Sequence, residues 1–419
     1  MPKLVLLVAS LLLLGCSGGG ETVRFATFNS ALSREAPGEL LAAMRTPDDE
    51  QAQAVAAIIQ AARPDVLVLQ EFDHGGDYDP DGEALRLFQE NYLRQTQAYS
   101  LRSIQYKHVY LVPSNTGLPT GVDLNGDGLV APTEGAEVGT AAYAADCHGW
   151  GKFPGQYAFV VLSKFPIIRD ELFWLQTDRW GELSWNNIPP DYYSDEALET
   201  LRLSSKNHVD VPIDVGGDEP IHVLAAHPTP PVFDGEEDRN GRRNSDEITL
   251  LTSLIRPTRL EPRRSPLWAA VLFFWHPGVA MSLPSEQIYE NLVVMGDLNA
   301  DPHDGEARRE AIIRLLNNLH LNPNVKPSST GGVAAAVRQG GVNADHIGDP
   351  AADTADWNDD PTRGPGNLRV DYVLPSVDLE VVGSGVFWPT PDEPLMGVDL
   401  ATVERASDHR LVWVDVKVD

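Results

Sequence analysis

A chain of 419 residues with 32 Lys+Arg against 61 Asp+Glu carries a formal net charge of -29 at pH 7. Such a balance repels polyphosphate backbones over the ~8–10 Å that salt leaves effective, and no Lys/Arg block tracks a nucleic acid, which disfavours a dedicated DNA binder. Two cysteines exclude a disulfide-stapled scaffold, and a chain of this length builds a sufficient core without one.

At the N-terminus, Lys3 precedes an apolar run from Leu4 to Leu14. At ~1.5 Å per residue the run spans roughly half of a ~30 Å hydrocarbon core, which suits a signal peptide and excludes a spanning helix. Leu13-Leu14-Gly15-Cys16, followed by Ser17 and three glycines, resembles the bacterial lipobox. The resemblance implies an exported protein lipid-anchored on Cys16 at the outer membrane or surface of a bacterium, with membrane contact through that lipid alone. Loss of Lys3 leaves 31 - 61 = -30 for the mature part, and Cys147 is then the one remaining thiol, read as a small buried side chain. The expected division is 1–16 signal peptide and lipobox, 17–22 flexible tether, and 23–419 a single catalytic domain with an insertion at about 113–155.

Alternation over 23–28 predicts a strand. Thr46 reads as an N-cap with Pro47 at the first helical position and Asp48 and Asp49 in the first turn; Val55, Ile58, Ile59 and Ala62 follow at helical spacing. Residues 66–69 predict a fully buried strand, and 157–162, 221–226, 292–295, 369–374 and 411–418 predict further strands. Helices are expected over 245–254 and 306–319, with long loops at 73–82, 113–155, 227–244 and 321–366. The apolar patch at 267–275 is bracketed by Pro266 and Pro277 too closely to span a membrane. The alternation of strands and helices predicts an α/β fold.

Strand after strand ends on a polar, metal-capable residue. Asn29 follows the first, Glu71 the second, His227 the strand at 221–226; Gly296 leads into Asp297-Leu298-Asn299. Asp371 sits within a predicted strand, and Ser407-Asp408-His409 precedes the last one. Each alone is an ordinary turn former or surface histidine; six in order are not coincidence. This order resembles the endonuclease/exonuclease/phosphatase superfamily, which includes deoxyribonucleases, apurinic endonucleases, sphingomyelinases and inositol phosphatases. The resemblance implies two packed mixed β-sheets flanked by helices, a four-layer α/β sandwich, with the active site at one edge. It also implies Mg²⁺ or Mn²⁺, held by hard oxygen ligands. Glu71 is the first expected metal ligand, with Asn29 and Asp408 nearby and Asp297 and Asn299 completing the site or holding a second ion. His409 would polarise the phosphoryl group or handle a proton, Asp371 would fix its tautomer, and His227 would be the other acid/base or donor. Asp297 competes for the activation of water. Two departures stand out: Ala31 replaces an acidic residue that some relatives carry two positions after the first Asn, and the basic and aromatic insertions of abasic-DNA enzymes are missing.

Lys206, Arg239, Arg242 and Arg243 are candidate phosphate-binding cations, the arginines alternatively pairing with Glu236, Glu237 and Asp238. Asp123-Leu124-Asn125-Gly126-Asp127-Gly128 through Glu134 fits the D-x-[DN]-x-[DN]-G-x₅-E pattern, so Asp123, Asn125, Asp127, the Leu129 carbonyl and Glu134 are candidate ligands of a structural Ca²⁺. Asp345-His346, with Asp353 and Asp356 beyond, is a candidate accessory cation site. The expected activity is metal-dependent hydrolysis of a small phosphoester, with no protein partner evident. The alternatives are an extracellular deoxyribonuclease-type endonuclease and a non-catalytic surface-binding protein.

Overall fold

The computed structural model describes residues 21–255 and 291–418. The leader, Cys16 and the apolar patch at 267–275 lie outside the described residues. The strands are β1 (Glu21–Asn29), β2 (Val66–Gln70), β3 (His108–Leu111), β4 (Phe159–Ser163), β5 (Phe173–Trp174), β6 (His208–Ile213), β7 (Ile221–Ala226), β8 (Leu292–Asp297), β9 (Ala355–Asp356), β10 (Asn367–Leu368), β11 (Asp371–Pro375), β12 (Glu380–Val386) and β13 (Val412–Val418). The helices are α1 (Glu39–Met44), α2 (Glu50–Ala62), α3 (Glu83–Phe88), α4 (Ala141–Ala145), α5 (Asp195–Thr200), α6 (Arg239–Leu254), α7 (Arg309–Leu316), α8 (Thr330–Gln339) and α9 (Leu400–Ala406).

Two mixed sheets form. One runs β12-β13-β1-β2-β4-β3, the other β11-β8-β7-β6-β5, and β9 pairs with β10 apart from both. The parallel pairs are β1–β2 and β7–β8; the remaining neighbours are antiparallel. A parallel pair needs a crossover, and α2 supplies it for β1–β2.

Period-two alternation assigns the faces. Val23, Phe25, Val66, Val68, Val412 and Val414 of one sheet meet Val209, Val223, Val293, Met295 and Val373 of the other in a shared core. Their outward neighbours pack under helices: Phe28, Leu67 and Leu69 under α2 and α9, and Leu224, Val294 and Tyr372 under α6 and α7. Each such fully buried side chain contributes about 1.5–3 kcal/mol. The result is the two-sheet, helix-flanked α/β sandwich that the order of site residues implied.

The long strands appear where alternation placed them, but four expectations need correction. The helix after β1 starts at Glu50, not beside Thr46: Asp49 caps the Ala52 N–H at 2.8 Å, while the Thr46 carbonyl is taken by the Tyr92 hydroxyl at 2.6 Å. The helix expected at 245–254 begins at Arg239, so the basic residues there lie on its first turns and not in a loop. The helix expected at 306–319 covers only Arg309–Leu316. Residues 321–366 are not one loop, since α8 lies within them, capped by Ser329. Six strands, β3, β5, β6, β9, β10 and β12, escaped the pattern, two of them for definite reasons. β6 hides a buried Asp210, which bonds His222 Nδ1 at 2.9 Å, and β12 carries Gly385, where a Cβ would lie 2.9 Å from the Trp413 ring.

Candidate active site

The topology carries the strand-end residues to one edge. Asp371 and Asp297 are direct cross-strand partners on β11 and β8. The Asn29 Nδ2 group donates to Glu71 Oε1 at 3.1 Å and to Asp297 Oδ2 at 3.0 Å, tying one sheet to the other. Ser407 Oγ donates to the Asn29 carbonyl at 2.8 Å and accepts the His409 N–H at 3.0 Å, so the final loop is latched onto β1. Gly296 is required here: a Cβ would sit 2.0 Å from the Ala226 carbonyl oxygen, where β8 passes β7 just before His227. Glu71 (φ 54°) and Asn299 (φ 52°) both take left-handed backbone, uncommon for non-glycine residues and concentrated at working sites.

Asp297 is the meeting point. Its Oδ2 lies 3.5 Å from His227 Nε2 and 3.8 Å from His409 Nε2, and all three side chains are buried. The other ring nitrogen of His409, Nδ1, is 2.9 Å from Asp371 Oδ2, which also accepts the Thr354 hydroxyl at 2.8 Å. Burial opposes charge on Asp297, yet the His409 charge and the His227 contact hold it below the ordinary carboxylate range. Burial likewise opposes a charged His409, but Asp371 and Asp297 outweigh it and push the imidazole up. Burial, then the Lys206 charge, lowers His227, whose buried Nδ1 has no hydrogen-bond partner among the described residues. The centre therefore favours charge on one imidazole and disfavours it on the other, across a single carboxylate.

These groups open onto a cleft of about 1320 Å³ whose wall also carries Glu71, Asn299, Asp408, Lys206, Trp150 and Trp357. The donor set suits a hard divalent cation. Glu71, Asp297 and Asp408 bring carboxylates to the cleft wall, Asn299 adds an amide whose Nδ2 donates to the Pro228 carbonyl at 3.2 Å, and among the described residues the buried Asp371 Oδ1 has no hydrogen-bond partner. Among the described residues, Asp297, Asp371 and His409 form the one cluster of His, Cys, Asp and Glu with ligand atoms within 4.8 Å of one another. His409 and Asp371 spend Nδ1 and Oδ2 on each other, which leaves Asp297 as the member placed to be shared between a cation and the histidines. Asn29 Oδ1 accepts the Ala31 N–H at 3.1 Å, while its Nδ2 group positions Glu71 and Asp297. Trp357, unforeseen, donates to Asp408 Oδ2 at 2.8 Å and sets its ring 5.3 Å from that of His409.

The basic candidates separate. Arg243 is buried and donates to the carbonyls of Leu203, Arg202 and His148; Arg242 donates to those of Glu237 and Asn187. Arg239 pairs with Glu237, as one alternative had it, and lies over the Tyr192 ring on the cleft wall. Arg242 and Arg243 are thus structural; among the described residues Lys206 alone of the four lines the cleft without a hydrogen-bond or ion-pair partner. Glu247, which carries no sequence signal, accepts the Ser205 N–H and the Thr229 N–H, each at 2.6 Å, and so clamps the loops bearing Lys206 and His227. Glu247→Ala strips two buried N–H groups of their acceptor. It is expected to cost about 2–6 kcal/mol in urea unfolding, and a loss below about 0.5 kcal/mol would contradict the clamp.

The Asp123 carboxylate accepts the N–H groups of Gly126, Asp127 and Gly128 at 2.7–3.2 Å, and Asn125 Nδ2 donates to Asp127 Oδ2 at 3.0 Å. The loop is ordered by its own amides, and Asp123, Asp127 and Glu134 do not converge to metal-ligand spacing. The Asp345-His346 segment likewise assembles no such group; Asp356 instead bonds Arg410 and Gln339. Cys147 is buried, donates to the Tyr143 carbonyl at 3.2 Å, and has its thiol pushed up to about 12 by burial, so it is inert as expected.

Burial, then the charges of Asp301, Asp304 and Asp349, raises Asp353 to about 8 from 3.8. Between these values the folded state keeps a proton that the unfolded chain has released, so stability falls as pH rises and the full cost stands above pH 8. In EDTA, Asp353→Asn is expected to raise the Tm at pH 8.5 by about 2–4 °C and to do nothing at pH 3.5. Equal shifts at both pH values would contradict the assignment.

Comparison with known proteins follows the same lines. No curated protein sequence matches the chain. Its structure is similar to an endonuclease/exonuclease/phosphatase from Beutenbergia cavernae (18% identity, TM-score 0.48, covering 95% of this chain and 72% of that one). It is also similar to the human Nocturnin catalytic domain (14%, 0.44, 95% and 95%) and to sphingomyelinase C from Streptomyces griseocarneus (16%, 0.40, 94% and 99%). The endonuclease/exonuclease/phosphatase family model matches residues 26–409, a span that holds Asn29, Glu71, His227, Asp297, Asp371 and His409. Members of that family are hydrolases of phosphoester bonds and are generally dependent on divalent metals, and this chain belongs to the endonuclease/exonuclease/phosphatase family.

Proposed function

We propose that this protein hydrolyses phosphodiesters or phosphomonoesters in a reaction dependent on Mg²⁺ or Mn²⁺. The observation that carries the reading is the Asp297 carboxylate held between His227 and His409 at the wall of an open cleft. Ester hydrolysis at phosphorus builds charge on the phosphoryl oxygens and needs an oriented water. His409, kept protonated and oriented by Asp371, offers its Nε2–H to a phosphoryl oxygen. Asp297, held below the ordinary range, is a weak proton acceptor and serves better to orient the water; the neutral His227 beside it is placed to take or return a proton. A bound divalent cation supplies Lewis-acid neutralisation of phosphoryl charge, and Glu71, Asp297, Asn299 and Asp408 would hold it.

The proposal extends to an exported enzyme, lipid-anchored through Cys16 at a bacterial outer membrane or surface and scavenging phosphate from small organic esters. It rests on the lipobox-like leader and the acidic surface. Among the described residues no helix is long and apolar enough to cross a membrane. A structural Ca²⁺ in the 123–134 loop rests on its sequence pattern alone.

Release of p-nitrophenol from bis-p-nitrophenyl phosphate and from p-nitrophenyl phosphate tests the reaction class. Hydrolysis of the diester alone makes a phosphodiesterase, and plasmid nicking at low enzyme concentration would then favour the nuclease alternative. Hydrolysis mainly of the monoester makes a phosphatase. Release from neither, with folded protein and metal present, would overturn the reading.

A further inference from the structure

Lys206 presents an unusual combination. Its side chain is only 6% exposed, yet among the described residues its ammonium group has neither a hydrogen bond nor an ion pair. An ammonium has three N–H donors, and withdrawing it from water without acceptors costs several kcal/mol. The arginines nearby avoid that cost by bonding backbone carbonyls or a carboxylate. Lys206 instead lines the cleft with Glu71, His227, Asp297 and His409. Burial lowers its pKa while the charges of Glu247, Glu71 and Asp297 oppose the shift, and its own charge acts on His227.

The backbone around it is pinned. Asn115 N–H donates to the Lys206 carbonyl at 3.0 Å, Ser205 N–H to Glu247, and Asn207 Nδ2 to the Pro113 carbonyl at 2.8 Å. The 113–115 segment and α6 therefore hold a cation that lacks protein acceptors among the described residues at the reactive wall, which is pre-organisation of a donor for an incoming anion. A tetrahedral oxyanion fits this setting, because its remaining oxygens would face the His409 imidazolium.

We propose that Lys206 is a catalytic residue that donates from Nζ to a non-bridging oxygen of the scissile phosphoryl group. The inference rests on the phosphoester reading of the site. A lysine serving only as counter-ion to Glu71 and Asp297 would affect stability while leaving phosphate affinity unchanged, which separates the two roles.

The test compares the wild-type chain with Lys206→Met and Lys206→Arg, reading kcat and KM on the preferred p-nitrophenyl ester, the Kd of inorganic phosphate by calorimetry, and Tm. Methionine has a similar unbranched stem without the charge, and Tm checks that the fold is kept. Lys206→Met is expected to lower kcat about 10²- to 10³-fold and to weaken phosphate at least about tenfold, with Tm unchanged or higher. Lys206→Arg is expected to regain part of the phosphate affinity. Values of kcat and Kd within about twofold of wild type in Lys206→Met would overturn the proposal while wild-type hydrolysis leaves the phosphoester reading standing. A wild type that binds phosphate through Lys206 but cleaves neither ester would overturn that reading and leave the anion site. A wild type that neither binds phosphate nor hydrolyses would overturn both.

Discussion

Asp297→Asn is expected to lower kcat/KM by about 10³-fold or more while the far-ultraviolet circular dichroism stays that of the wild type. The asparagine keeps the volume of the side chain in its fully packed position at the end of β8. It removes a charge that faces Asn29 Nδ2, His227 Nε2 and His409 Nε2 at once. An amide turned either way then either loses a lone pair for these donors or confronts them with its own N–H. The same change deletes the oxygen donor shared between the histidines and a cation, so both halves of the site fail together. A folded Asp297→Asn variant retaining more than about a tenth of wild-type kcat/KM would remove Asp297 from the reaction.

The second large effect belongs to Asp371→Asn. The amide oxygen can still accept from His409 Nδ1 and from the Thr354 hydroxyl, so the geometry at 2.9 Å and 2.8 Å is kept and only the charge is lost. His409 owes its raised pKa, now about 10, to Asp371 before Asp297, with burial pulling the other way. Without Asp371 the imidazole loses its proton at lower pH, and the alkaline limb of the kcat profile moves downward. At pH 8 the expected loss in kcat is about 10²- to 10⁴-fold, the scale seen when a buried carboxylate behind a catalytic histidine is neutralised. An unchanged alkaline limb would mean that His409 acts without Asp371.

Much of this architecture is legible in the chain because strand and site share a signal. The runs at 66–69, 221–226 and 292–295 stop where a buried apolar strand gives way to Glu71, His227 and Asp297, and the parallel pairs bring those ends to one edge. What supports the site was not legible. Glu247 sits in a helix with no chemical pattern around it, and only the fold brings the Ser205 and Thr229 amides to its two oxygens. Thr354 and Trp357 act on Asp371 and Asp408 from a stretch that reads as featureless loop. The basic residues show the limit most clearly. Arg242, Arg243 and Lys206 look alike in sequence, and only distant carbonyls such as those of Leu203 and Asn187 decide which of them is consumed by structure. The calcium pattern shows a different limit: the residues match, and in the fold Asp123 also turns its oxygens to the loop's own amides, a contact that the pattern does not announce.

The account stands or falls on the coupling of ester cleavage to a divalent cation at this edge. The most direct measurement is the rate of ester hydrolysis by EDTA-stripped protein as Mg²⁺ or Mn²⁺ is added back, for wild type and for Glu71→Gln. No turnover is expected in EDTA, with saturable recovery in the wild type and a recovery curve in Glu71→Gln shifted to at least about tenfold higher metal concentration. Full turnover in EDTA, or superimposable metal curves for the two proteins, would contradict it.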